Sequence, residues 1–458
     1  MAKLVAIGDS LSQGSQSMAT THTEFSFPAM IAEAMGLGLG EFVCPDFQGA
    51  GGLPFNLEWM LRRLQQEYGV HLNLFEIAGA GISAATMVDE VEDYWERGKG
   101  SRPERDRLYN NLGIWNYEVS DSYTTTSKLC DELIGRDKDE FMQPSSHGRL
   151  RIARRVLNPA GLRSKENYTQ LDIAEKIRLR DGEIQHLLVM LGANNCLRSV
   201  FDLNIRQTGQ SSPGPGSGFT LWSKDAFAEE FARLANGVQV VAADNVYVGT
   251  IPHITICPIA HGINEGGGEA PANGNYYDYY VRVWIDPHNF DPSKDLHLTA
   301  KDAEMIDRRV DDYNEIIRDT ALRMGWHVAD VCAATDKAAY RRNAGVTVLP
   351  SALADLDMRY MKIDENGEIT QGGLVSLDGM HPTSCGYALI AQTFVDVIKK
   401  IDPSARDIDF ADIRRRDSLV SSPPALLCKM NSLLEHLEQN LHLSRWIRIN
   451  DDTGVQVG

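Results

Sequence analysis

Short apolar runs that stop at glycine or proline punctuate the chain. Leu4-Val5-Ala6-Ile7 stops at Gly8, Leu72-Asn73-Leu74-Phe75-Glu76-Ile77-Ala78 at Gly79, Leu187-Leu188-Val189-Met190-Leu191 at Gly192, and Val246-Tyr247-Val248-Gly249-Thr250-Ile251 at Pro252. Val328-Ala329-Asp330-Val331 is a shorter fifth. Largely unbroken runs of this kind predict strands buried on both faces, as in a parallel sheet. Helical periods lie between them. Phe227, Phe231, Leu234, Val238 and Val241 recur every three or four positions, as do Ile306, Val310, Tyr313 and Ile317, and Tyr387, Ile390, Phe394, Ile398 and Ile401. Each set gives a helix one apolar stripe. The alternation predicts an α/β fold with a doubly wound parallel sheet of about five strands and right-handed crossovers. In such sheets reactive groups gather at the carboxyl ends of the strands.

Residues 95–185, 199–222 and 260–300 interrupt this rhythm. The first stretch is polar, with a basic portion from Arg149 to Arg163. The second contains Ser211-Ser212-Pro213-Gly214-Pro215-Gly216-Ser217-Gly218, a surface loop by composition. The third joins the Gly266 to Gly268 turn to Tyr276-Tyr277-Asp278-Tyr279-Tyr280 and Trp284. Insertions of this size on an α/β core commonly form lids or substrate walls. The organisation expected is one domain over residues 1–402 carrying these insertions, then a helical extension over residues 403–458. In the extension Leu426, Met430, Leu433, Leu437 and Leu441 share a helix face suited to the core or to a second copy of the chain.

Composition narrows the functional classes. The chain has 458 residues and a formal charge of −18, from 63 acidic and 45 basic side chains, which argues against a nucleic-acid partner. Seven scattered cysteines, none in a Cys-x-x-Cys pair, read as free thiols in a reducing compartment. With no signal-peptide pattern and no transmembrane run, the expected location is cytoplasmic.

Candidate chemistry lies mostly at strand ends. Ser10 follows the first run by a Gly8-Asp9 step; taken alone, that tripeptide reads more readily as a turn with a helix N-cap than as a catalytic element. Asp378-Gly379-Met380-His381-Pro382 precedes the last core helix. An Asp three residues before a His on a short loop suits a carboxylate-to-imidazole hydrogen bond that fixes the tautomer; a helix N-terminus is the plainer alternative. Gly192-Ala193-Asn194-Asn195 closes the third run, where an Asn amide suits an oxyanion donor. Ala78-Gly79-Ala80-Gly81 closes the second, where Gly81 lets a backbone N–H approach a ligand. Both also read as ordinary turns.

In order and placement these segments resemble the GDSL (SGNH) family of esterases and acyl hydrolases, whose blocks carry Ser, Gly, Asn and His in that sequence. The resemblance covers roughly residues 1–95, 185–260 and 300–402. It implies the three-layer α/β/α, flavodoxin-like fold of that family. It further implies Ser10 as nucleophile, His381 as base and Asp378 as its orienter. The oxyanion hole would comprise the Ser10 and Gly81 N–H groups and the Asn194 side chain. Two positions depart from the family pattern: Asn195 stands where Asp is usual, and Glu76 where Asn is common.

The function expected is hydrolysis of a small-molecule carboxylic ester of a lipid, sugar or other alcohol, without a cofactor. Acyl transfer to an alcohol on the same site is the alternative, and a non-catalytic binding protein on a hydrolase fold a third reading. His253, His261, His288 and His297 match no compact metal spacing and are expected to be core or surface residues. Asp364-Glu365-Asn366-Gly367 lacks the calcium-loop spacing and predicts a hairpin turn between Ile363 and Ile369. Cys385 is too close to His381 for a nucleophile, and the tyrosine cluster is expected to pack.

Overall fold

The computed structural model describes residues 2–426 except 39, 71–73, 136–143, 266–270, 272–274, 283, 284, 286, 289, 340, 341, 344, 345, 360 and 364–368. Its central sheet has four parallel strands in chain order across the sheet: β1 (Ala2–Gly8), β2 (Ile184–Met190), β3 (Asn245–Gly249) and β4 (His327–Ala329). The helices that frame the sheet and the site are, in chain order, α1 (Ser10–Gln13), α2 (Phe27–Ala34), α3 (Leu57–Tyr68), α4 (Leu74–Glu96), α5 (Gln170–Asp181), α6 (Asn194–Phe201), α7 (Lys224–Val241), α8 (Ala300–Met324), α9 (Val331–Ala338) and α10 (Ser384–Ile398).

The unbroken apolar runs have a direct cause. Successive strand residues point to opposite faces, and both faces are covered. Val5, Ile7, Leu187, Val189, Val246 and Val248 enter one core with Ile173 and Ile177 of α5, Phe227, Phe231 and Leu234 of α7, and Ile306, Val310 and Tyr313 of α8. Leu4, Ala6, Leu188, Met190 and Tyr247 enter a second core with Phe27 and Ile31 of α2 and Tyr387, Ile390, Phe394 and Ile398 of α10. The result is three layers, helices on both sides of a sheet. Burying side chains of the size of Ile390 or Phe394 contributes about 1.5–3 kcal/mol each.

One predicted strand is a helix. The run from Leu72 belongs in part to α4, and Ala80, Ala84, Met87, Val88, Val91 and Trp95 form its buried, three-and-four-spaced face. A short apolar run cannot separate helix from strand by itself; the periodicity that continues to Trp95 decides it. The segment that takes the second place in the sheet lies inside the supposed first insertion. Asn111 bridges Ala6 in parallel, Ala6 N–H donates to Asn110 O at 2.9 Å, Leu112 N–H to Ala6 O at 2.8 Å, and Ile114 N–H to Gly8 O at 3.1 Å. The chain therefore runs outward from β1 to this segment and then back across β1 to β2. That reversal puts a topological switch point at the end of β1, where open α/β sheets place their sites.

The remaining insertions are partly structured. Ala260–Ile263, Tyr279–Arg282 and Leu298–Thr299 form a small antiparallel sheet, and Tyr277 and Tyr280 are buried within it, as packing residues should be. Met361–Ile363 pairs with Ile369–Gly372 in an antiparallel hairpin; its turn, residues 364–368, lies outside the described residues, as do Trp284 and the expected helix beyond Leu426. Residues just past Pro403 pack on the second core through Ala405, Ile408, Ile413 and Val420. Among the described residues no helix is long and apolar enough to cross a membrane.

Candidate active site

Ser10 opens α1 directly after β1. Asp9 caps the helix: its Oδ1 accepts the Leu11 N–H at 3.0 Å, which is why an Asp precedes the serine. Gly14 ends the turn in a left-handed conformation, its N–H returning to Ser10 O at 3.0 Å. Ser10 is thus held on one tight turn at the strand's carboxyl end, and it is only 5% exposed.

The His381 loop is a closed turn. Ser376 N–H donates to His381 O at 2.8 Å, and Val375 bridges Pro382. Gly379 adopts φ +72°, and a Cβ there would sit 2.8 Å from the Ile259 backbone, so glycine is required on two counts. Asp378 collects donors from every side. Its Oδ1 accepts from the N–H groups of Met380 at 2.9 Å and His381 at 2.8 Å; its Oδ2 accepts from His381 Nδ1 at 2.7 Å and Met18 N–H at 2.8 Å. Burial pushes the Asp378 pKa up, but the adjacent His381 ring and these hydrogen bonds outweigh it and hold the carboxyl below its ordinary value. With Nδ1 turned to Asp378, Nε2 is the ring atom left for proton transfer.

Several bonds stitch this loop and α10 to residues 15–18, which directly follow the turn that carries Ser10. Besides Met18 N–H on Asp378, Ser17 N–H donates to Ser376 Oγ at 2.9 Å and Tyr387 OH to Ser15 O at 2.6 Å. Asp9 lies within electrostatic reach of His381. Burial pushes the Asp9 pKa up to about 7, against the opposing pull of the Leu11 N–H and the His381 ring. Its Oδ2 is buried with no hydrogen-bond partner, so nothing on that oxygen opposes the cost of burial.

Asn194 is the first residue of α6, just past β2. Its Nδ2 donates to Tyr117 O at 2.8 Å. Asn195, the departure from the family pattern, is fully buried, and its Oδ1 accepts from Val119 N–H at 3.2 Å. Both asparagines therefore fasten the 117–119 segment that follows the stretch paired with β1. Asn116 is left-handed, φ +57°. With Asn194, Arg149 and Gly216, Gly218 and Phe219 at the end of the Ser/Pro/Gly-rich loop it borders a cleft of about 20 Å³.

Gly81 is not part of this arrangement. It stands inside α4, where main-chain N–H groups bond the preceding turn, and the strand end that was to display it does not exist. The place beside β1 is taken instead by the segment around Gly113. A Cβ on Gly113 would come within 2.4 Å of Gln13 N, so this segment approaches the Ser10 turn backbone to backbone. The signal for it in the sequence was Leu112-Gly113-Ile114, an apolar pair around a glycine inside an otherwise polar stretch.

No family model and no curated protein matches the chain. Among solved structures, an α/β hydrolase named LAE5 from the metagenome of Lake Arreo overlaps 86% of this chain and 94% of its own, at 13% identity and a TM-score of 0.29. A variant of Axe2, an acetyl xylan esterase from Geobacillus stearothermophilus, overlaps 87% and 94% at 14% identity and a TM-score of 0.29. Overlaps this loose leave both architecture and chemistry to rest on the residues themselves.

Proposed function

We propose that the chain is a serine-dependent carboxylic ester hydrolase of the GDSL/SGNH type. The observation that carries the reading is the His381–Asp378 pair, joined at 2.7 Å and tied to Ser17 and Met18, in the segment that follows the Ser10 turn. A serine hydroxyl is a weak nucleophile until a base takes its proton. His381 Nε2 is that base, and Asp378 keeps the ring in the required tautomer and stabilises the imidazolium. Ser10 Oγ attacks the ester carbonyl. The oxyanion takes the Ser10 N–H and the second Nδ2 hydrogen of Asn194, whose first is held by Tyr117 O. His381 then protonates the leaving alcohol, and water repeats the cycle on the acyl-enzyme.

Acyl transfer to an alcohol is the second reading, favoured by the burial of Ser10, His381 and Asn194, 4–7% exposed. A site that admits little water lets an alcohol compete for the acyl group. Turnover of p-nitrophenyl acetate with and without glycerol separates the two: hydrolysis gives acetate alone, transfer gives acetylglycerol. Turnover that survives His381→Ala unchanged would overturn both.

A further inference from the structure

A second cluster of reactive side chains lies at the carboxyl ends of β3 and β4, across the sheet from Ser10. His253 follows β3, while Cys332 and Asp336 stand one helical turn apart on α9 and so share its face. His253 Nδ1 is 3.5 Å from Cys332 Sγ and 2.8 and 3.1 Å from the two Asp336 carboxylate oxygens. One donor atom from each of the three residues lies within 4.8 Å of the others. His253 and Cys332 are buried and Asp336 half-buried. On the far side of the ring, His253 Nε2 is 3.2 Å from Asp311 Oδ1 on α8.

This is the layout of a histidine prepared as a metal ligand. A cation at Nδ1 would take the place of the proton that now joins Nδ1 to Asp336, while an Nε2–H donated to Asp311 would supply the carboxylate–histidine pairing that orients metal-bound imidazoles. In a tetrahedral zinc site, bonds of about 2.0–2.1 Å to nitrogen and 2.3 Å to sulfur hold those two atoms about 3.6 Å apart; here they are 3.5 Å apart. Asp336, the more exposed ligand, sits closer to the ring than a shared cation allows, so binding requires its carboxylate to turn back from Nδ1. Charge fits as well. Asp307 and Asp311 lie close by, and Arg342 is the compensating cation, paired with Asp307 and 3.6 Å from Asp336.

We propose that His253 Nδ1, Cys332 Sγ as thiolate and Asp336 bind a divalent cation of the zinc class, with water in the fourth position. The cation ties the loop after β3 to α9. Residues 253, 332 and 336 are spread too far along the chain for any spacing pattern to mark them, which is why the histidine spacings predicted no metal. The competing arrangement is a purely ionic one: His253 as an imidazolium between Asp311 and Asp336, with Cys332 a bystander thiol.

Cobalt binding to the full chain, stripped with a chelator, distinguishes them. The proposal expects one cobalt per chain, with a near-ultraviolet thiolate-to-cobalt charge-transfer band and visible bands of tetrahedral intensity, displaced by zinc. Cys332→Ser should lose the charge-transfer band. Asp311→Asn, at an exposed position, should weaken affinity about 10–100-fold while leaving the band in place at saturation. Thermal melting followed alongside should show stabilisation by zinc in the wild type and little in Asp336→Asn. Absence of the band in the wild type, or unchanged cobalt affinity in both Cys332→Ser and Asp311→Asn, overturns the proposal. If Cys332→Ser does not fold, the Asp311→Asn affinity decides it.

Discussion

Asp378→Asn is the most informative single change at the site. The carboxylate accepts from the Met380 and His381 N–H groups on one oxygen and from His381 Nδ1 and Met18 N–H on the other. An amide supplies one acceptor oxygen. If that oxygen keeps the Met380 and His381 bonds, the NH₂ faces Met18 N–H and the ring. Nδ1 must then accept, so the proton moves to Nε2, the atom that should take the serine proton. Loss of the orienting carboxylate with geometry otherwise kept lowers kcat by about 10⁴, or about 5.5 kcal/mol of barrier. The Met18 N–H left against a donor costs about 1–3 kcal/mol of stability. Because the folded-state pKa of Asp378 lies below its ordinary 3.8, its contribution is complete at neutral pH and is lost as the pH falls through the folded value. The stability difference between wild type and Asp378→Asn should therefore narrow in acid. Steady-state kinetics on p-nitrophenyl acetate and urea unfolding at several pH values measure both effects. A variant retaining a tenth or more of wild-type kcat would refute the orienting role.

The other expectations concern the donors and Asp9. Asn194→Ala should lower kcat about 10²–10³-fold with a smaller change in KM; an effect on KM alone would remove Asn194 from the oxyanion site. Gly81→Ala should leave kcat/KM unchanged and, in a helix interior, add up to about 1 kcal/mol of stability; a large loss of activity would return Gly81 to the site. Asp9 titrates near 7 when folded and near 3.8 when unfolded, so the fold binds the extra proton and loses stability as the pH rises between those values. Asp9→Asn, which keeps an oxygen for the Leu11 N–H, should remove that loss, on the order of 4 kcal/mol by linkage. Urea unfolding from pH 4 to 8 reads it, and a mutant-to-wild-type gap that does not move with pH would contradict it.

The parts legible in the sequence were those governed by local pattern. The strands ending at Gly8, Met190 and Gly249 and the helices under Phe231, Val310 and Phe394 followed from periodicity, because burial on two faces or one stripe dictates the residue pattern. The pairing of Asp378 with His381 was legible because three residues on a tight loop leave little freedom. The second place in the sheet was not. Leu72 to Ala78 has the right residues for a strand, but Ala80, Ala84, Met87 and Val88 continue a helical face. The true segment carries Asn110 and Asn111, whose side chains bond the Leu4 and Ser12 carbonyls and so serve as structure, not as loop polarity. Nor could spacing bring His253 to Cys332, since only the sheet order places the ends of β3 and β4 side by side.

Fluorophosphonate labelling with peptide mapping tests the nucleophile directly. The adduct should form on the peptide containing Ser10, should be absent in Ser10→Ala, and should form far more slowly in His381→Ala. An adduct on another residue, or equal labelling of Ser10→Ala, would contradict a serine hydrolase built on Ser10.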